Sequence, residues 1–109
     1  MIRRAGKAFL DRLFSLEEQV YCGSKRMKFE HYAARFAAKE AVLKALKLRP
    51  KKGQDFSGIE VKRLATGKPY IKLSSEVRRQ FKIPARAQIE LSLAHEREYA
   101  IATVVVVIP

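Results

Sequence analysis

The chain has 109 residues, 48% of them hydrophobic and 31% charged, which fits one soluble domain with a real core and excludes a low-complexity or disordered polymer. Its 23 Lys and Arg against 11 Asp and Glu leave a net charge of +12, an excess that attracts polyanions at long range without saying which. A single cysteine, Cys22, excludes an internal disulfide, and the amino terminus lacks the apolar stretch of a signal peptide, so cytoplasmic residence is expected.

In chain order, residues 2–13 read as a helix with Arg3, Arg4, Lys7 and Arg12 on its polar side and Ala8, Phe9 and Leu13 on its apolar side. Ser15-Leu16-Glu17-Glu18 has the Ser-x-x-Glu spacing of a capping box and opens a short helix to Cys22, which Gly23 and Ser24 end. The longest periodic segment, Lys28 to Lys47, is rich in Ala, Lys, Glu and Leu and runs without Gly or Pro until Pro50 and Gly53 halt it. Ile59 to Leu64 alternates as a strand. Thr66-Gly67-Lys68-Pro69 turns the chain into a second strand, Tyr70 to Leu73, to give a hairpin. Ser74 or Ser75 caps a short helix that ends at Ile83-Pro84. Ala87 to Ala94 and Tyr99 to Ile108 read as two more strands, joined through His95-Glu96-Arg97-Glu98. The last run is too short and too β-branched to cross a bilayer, so no membrane partner is expected. Being apolar on both faces, it is expected either in the middle of a sheet or under a neighbouring subunit. The order helices, hairpin, helix, hairpin predicts a single α+β domain over residues 1–109.

On the long helix, Phe29, Ala33, Phe36, Ala37 and Leu43 fall on one stripe, predicted to face the core. Glu40 falls inside that stripe, and Lys44 lies one turn further on. One reading is an i,i+4 ion pair at the stripe's edge, worth about 0.3–0.5 kcal/mol, with the lysine stem reaching outward. The other is a carboxylate that binds metal or substrate in a cleft, with Ala33 and Ala37 leaving room beside it and Lys44, Lys39 and Arg35 supplying charge for phosphates.

The run Arg35-Phe36-Ala37-Ala38-Lys39-Glu40-Ala41-Val42-Leu43-Lys44-Ala45-Leu46 is similar to the most characteristic segment of the holo-acyl-carrier-protein synthases. Further likenesses follow in the family's order: residues 14–21 before it, Gly67-Lys68-Pro69-Tyr70 after it, and residues 91–100 near the end. The resemblance implies a 4′-phosphopantetheinyl transferase fold, an antiparallel sheet against a long central helix. It also implies transfer of the 4′-phosphopantetheine arm of coenzyme A to a serine of apo-acyl-carrier protein, with Mg²⁺ and release of adenosine 3′,5′-bisphosphate. On that basis Glu40 is the expected magnesium ligand and a candidate acceptor of the serine proton. Lys44 is expected to stabilise the pyrophosphate and assist the leaving group. Arg35 is expected on the coenzyme A phosphates, and Lys39 is either a further contributor or a solvated helix charge. Gly67, Lys68 and Pro69 are expected beside the nucleotide, and His95 near its 3′-phosphate. Arg3, Arg4 and Lys7, with Arg12, match the basic helix that docks the acidic carrier protein, and a homotrimer with sites between subunits is implied.

The chain departs from the family in two places. Ala94 stands where relatives commonly have Ser before the histidine. The sequence also begins inside the basic helix, so the family's first strand, with the Asp that is magnesium's second ligand, has no counterpart here. Either Met1 is an internal start of a longer protein, which is the favoured expectation, or the strand has been lost together with full metal binding. The alternatives to an active transferase are a degenerate coenzyme A-binding homologue and a small basic nucleic-acid-binding module. The second explains +12 and a cationic loop of Lys47, Arg49, Lys51 and Lys52. It leaves Glu40 and His95 unexplained and carries no helix-turn-helix, zinc-finger or aromatic-stacking pattern, so nucleic acid is not the expected partner.

Overall fold

The computed structural model describes residues 6–49, 55–95 and 100–108. Three helices come first: α1 (Lys7–Leu13), α2 (Leu16–Gly23) and α3 (Lys28–Ala45). They are followed by β1 (Ile59–Arg63), β2 (Pro69–Leu73), α4 (Ser75–Gln80), β3 (Gln88–His95) and β4 (Ala100–Val107). The α+β arrangement and the element order match the sequence reading, with boundaries moved by one or two residues except at the first helix, which was expected from residue 2 and is described from Lys7 on. Arg3 and Arg4 lie outside the described residues.

Local chemistry sets the element ends. The capping box opening α2 is complete: the Glu18 N–H donates to Ser15 Oγ (3.2 Å) and the Ser15 N–H donates to Glu18 Oε1 (3.0 Å). Ser74 caps α4 by accepting from the Val77 N–H at 3.1 Å. Gly67 sits at φ 92°, a left-handed conformation that side chains disfavour, in the tight turn joining β1 to β2. Gly58, just before β1, is required for closeness: a Cβ there would lie 2.5 Å from Ser74 Oγ and 2.6 Å from Val77 Cγ2.

The strands form two antiparallel hairpins, β1 with β2 and β3 with β4, rather than one continuous ladder. Ile59 pairs with Leu73 in the first, and Leu91 with Val104 in the second. β2 lies beside β3, and α3 packs across both hairpins. At its centre Ala38, fully buried, lets Val61 and Leu91 approach the helix closely. Toward its end Val42 and Leu43 meet Ile59, Leu73, Val77 and Ile83. Each such buried aliphatic contributes about 1.5–3 kcal/mol. Toward its start Tyr32 joins Leu13, Phe14 and Cys22, with the Phe14 and Tyr32 rings 4.9 Å apart.

The buried face of α3 is not the predicted one. It comprises Tyr32, Ala34, Arg35, Ala38, Lys39, Val42 and Leu43, whereas Phe29, Ala33, Phe36 and Ala37 are only half-buried and Glu40 and Lys44 are exposed. The helix is rotated so that two cations face inward and the carboxylate faces solvent. The cause is Glu18, a counter-ion contributed by α2 that periodicity within α3 does not register.

β4 runs along one edge of its hairpin. Ala102, Val104 and Val106 are half-buried on one face, while Ile101 (61% exposed), Val105 (52%) and Val107 (47%) form an apolar stripe on the other. Of the two places expected for this strand, the middle of a sheet is therefore not the one it takes within the chain.

Candidate active site

Two separate clusters of candidate residues lie on α3. The first is the exposed face. Glu40 and Lys44, one turn apart, both reach solvent, with the small Ala33 and Ala37 beside them. The ion pairs formed among the described residues do not include a Glu40–Lys44 pair. The edge-of-stripe ion pair is thus absent, and the carboxylate and the ammonium remain available to a ligand.

The second cluster lies inside, around Glu18. Glu18 is 2% exposed and accepts from the Ser15 N–H through Oε1 and from the Val61 N–H through Oε2 at 3.0 Å, which ties the start of α2 to β1. Lys39 Nζ donates to Glu18 Oε1 at 2.7 Å, to the Phe56 carbonyl at 3.1 Å and to the Ile59 carbonyl. An ammonium has three donors, and these partners use all of them. Burial pushes the Lys39 pKa below the ordinary lysine value, and the Glu18 carboxylate opposes that shift. Lys39 is therefore neither a solvated helix charge nor a contributor to phosphate binding. It neutralises Glu18 and pins α3 to the chain between α2 and β1.

Arg35, also 2% exposed, has its Nε 4.0 Å from Glu18 Oε2 and its guanidinium carbon 4.2 Å from the centre of the Tyr21 ring. Its Nε is buried and has no hydrogen-bond partner, a group for which burial unpaired costs about 1–3 kcal/mol. Lys25 Nζ and the Arg63 guanidinium also lie over the Tyr21 ring, at 4.6 and 5.5 Å. Beside them opens a pocket of about 190 Å³ lined by Tyr21, Arg35, Lys62 and Arg63 together with Glu17 and Glu18. Part of its charge is neutralised by the Lys62–Glu17 pair at 3.2 Å. An unpaired donor beside a small cationic pocket is suited to a phosphate-sized anion.

The remaining candidates are dispersed. Gly67 and Lys68 are exposed and Pro69 half-buried at the β1–β2 turn, with Lys68 Nζ 3.9 Å from Glu90 and the Gly67 carbonyl accepting from Arg63 Nη1 at 2.6 Å. The turn and the cationic pocket are thus joined through Arg63. His95 ends β3 opposite Ala100. Lys7 is exposed and pairs with Asp11, whose carboxyl is held below its ordinary value by hydrogen bonds from Lys7 and then Gln19. Asp11 is thereby engaged at the surface. Cys22 is fully buried and burial pushes its thiol up to about 11, which removes it as a nucleophile.

Arg35 and Glu40 are five residues apart on one helix, about 140° around its axis. One chain does not bring the two clusters to a common point. Sequence reasoning missed Glu18 and Tyr21. Glu18 carried a visible role as the third residue of a capping box, and only its long-range partners show that it does more.

For a metal, the described residues hold no group of three or more His, Cys, Asp or Glu side chains. The exposed Glu40 carboxylate fits Mg²⁺ in the mode that ion favours, one or two protein carboxylates with the remaining positions taken by water and substrate phosphate oxygens.

Comparison with known proteins gives the family. The family model described as the 4′-phosphopantetheinyl transferase superfamily matches residues 1–104. The holo-acyl-carrier-protein synthase of Ruminiclostridium cellulolyticum is 42% identical over 106 residues, 96% of this chain and 79% of that protein. That of Gloeobacter violaceus is 43% identical over 108 residues, 98% of this chain and 81% of the relative. Among solved structures, the Helicobacter pylori holo-acyl-carrier-protein synthase in complex with coenzyme A superposes with a TM-score of 0.73 at 35% identity, over 92% of this chain and 82% of that one. A Chronobacterium ammoniagenes synthase–coenzyme A complex gives 0.78 at 28% identity, covering 96% and 84%. The chain belongs to the holo-acyl-carrier-protein synthase family of the 4′-phosphopantetheinyl transferase superfamily.

Proposed function

We propose that the protein, acting as a single domain, transfers the 4′-phosphopantetheine arm of coenzyme A to a serine of an apo-acyl-carrier protein. The observation that carries the reading is the pairing of an exposed, unpaired carboxylate, Glu40, with the exposed cation Lys44 one turn on, in a chain of this family. Glu40 accepts the serine proton, directly or through a water, so that the hydroxyl oxygen can attack the β-phosphorus of coenzyme A. Lys44 meets the pyrophosphate and offsets the charge that builds on the leaving adenosine 3′,5′-bisphosphate. Glu40 also holds Mg²⁺, which when bound supplies positive charge against the pyrophosphate. Arg35, with its unpaired Nε and the pocket it shares with Tyr21 and Arg63, receives a coenzyme A phosphate. Gly67, Lys68 and Pro69 flank the nucleotide through the turn that Arg63 braces, and His95 lies toward the 3′-phosphate. Lys7 on α1, with Arg3 and Arg4 before it in the sequence, steers the acidic carrier protein.

Two features support a homotrimer with sites shared between copies. The Glu40 and Arg35 clusters lie on different sides of α3, and the outer face of β4 carries the exposed apolar stripe of Ile101, Val105 and Val107. A second copy would bury that stripe, and a site between copies would let one copy's Arg35 cluster and another's Glu40 serve the same substrate.

Calorimetric titration tests the binding half of this reading. One coenzyme A per chain is expected, with affinity weakened for 3′-dephospho-coenzyme A. Association with duplex nucleic acid and none with coenzyme A would instead favour the basic nucleic-acid module.

A further inference from the structure

The end of α3 is closed by a residue ill suited to its backbone. The Lys47 N–H donates to the Lys44 carbonyl at 3.0 Å and the Leu48 N–H to the Leu43 carbonyl at 2.8 Å, the pair of bonds that makes a Schellman cap. The residue at the bend takes the left-handed conformation, and Lys47 has φ 56°. Glycine is the residue that fits there, because a Cβ crowds the backbone in this region. Leu46 and Leu48, on either side, pack against the core of Val42, Leu43 and Ile59, which fixes the bend and directs Lys47 away from that core. Lys47 is exposed, as are Lys44 and Glu40.

Glu40 and Lys44 are one turn apart on α3, about 6 Å along its axis, and Lys47 follows just past the helix end with its N–H on the Lys44 carbonyl. That row starts at the proposed proton acceptor and ends on two cations. The same left-handed lysine cap closes α4 at Lys82 (φ 55°), so strain alone does not mark a ligand; Lys47 differs in following the exposed Glu40 and Lys44. The bland explanation, a lysine favoured by the negative end of the helix dipole, gives only a few tenths of the benefit and does not need this position, since Lys44 already provides it.

We propose that Lys47 is a substrate-binding residue whose ammonium contacts a phosphate of coenzyme A beyond Lys44; the proposal rests on the coenzyme A reading given above. It also assigns a role to part of the cationic run at residues 47–52 that the transfer chemistry left unused.

The test is Lys47→Gly beside Lys47→Arg, each measured for thermal midpoint and for steady-state transfer with coenzyme A varied. Lys47→Gly is expected to raise the midpoint by about 4 °C through relief of the left-handed strain. In the same variant KM for coenzyme A should rise roughly tenfold while kcat stays within about twofold. Lys47→Arg is expected to keep the wild-type KM without the thermal gain. A Lys47→Gly protein that is more stable and has an unchanged KM would overturn the proposal and leave the transferase reading standing. A wild-type protein that does not bind coenzyme A would overturn the transferase reading itself.

Discussion

Glu18→Ala is expected to destabilise the protein by roughly 3–5 kcal/mol. The magnitude follows from what is left behind. Lys39 and Arg35 are each 2% exposed, and Glu18 is the carboxylate they share. Removing it strands one buried ammonium, brings a second cation's repulsion into play, and frees the Val61 N–H in the middle of β1. With total stabilities of about 5–15 kcal/mol for domains of this kind, such a loss consumes much of the margin. Glu18→Gln keeps the shape and part of the hydrogen bonding and should fall between the two. The double variant Glu18→Gln, Lys39→Met removes both charges and is expected to recover most of the loss, because an apolar replacement for a buried pair is often neutral. Denaturant unfolding of the three variants measures this, and a Glu18→Ala loss under about 1 kcal/mol would show that the cluster is not closed as described.

Glu40→Gln should behave in the opposite way. Its side chain is exposed and its substitution by an isostere leaves packing untouched, so stability is expected to stay within about 0.5 kcal/mol of the wild type. Transfer should fall by roughly 10²–10⁴-fold, the range supplied by a positioned general base, and further if the metal is also lost. Comparing the transfer rate at saturating coenzyme A with the unfolding midpoint separates the two effects. Equal rates would remove Glu40 from the chemistry.

These paired expectations also show what the sequence could and could not reveal. Elements whose causes are local were legible: the Ser15–Glu18 capping box, the Ser74 cap, the Gly67 turn, and the extent of α3, which ends at Ala45, two residues before the expected Lys47. The face that α3 buries was not. An apolar stripe is a sound guide when charges stay outside, and here Arg35 and Lys39 go inside because a carboxylate 21 positions before Lys39 meets them. Reading the stripe from apolar residues alone displaced it toward Phe29, Ala33 and Ala37 and drew Glu40 into the core. The resemblance carried by residues 35–46 singles out the Glu40 carboxylate, and the structure puts it in solvent rather than in the core. Tyr21 was hidden for a similar reason, since Lys25, Arg35 and Arg63 reach its ring from three different segments. The apolar run after Tyr99 was recognised as needing cover on two sides, and the structure supplies cover on one.

In the function proposed above, the exposed Glu40 carboxylate on α3 serves phosphopantetheine transfer. The most direct test is the intact mass of an apo-acyl-carrier protein after incubation with this protein, coenzyme A and Mg²⁺. The account predicts a gain of one phosphopantetheine group on the carrier, dependent on each component. An unmodified carrier, in the presence of a folded protein that binds coenzyme A, would contradict it and identify a coenzyme A-binding homologue without activity.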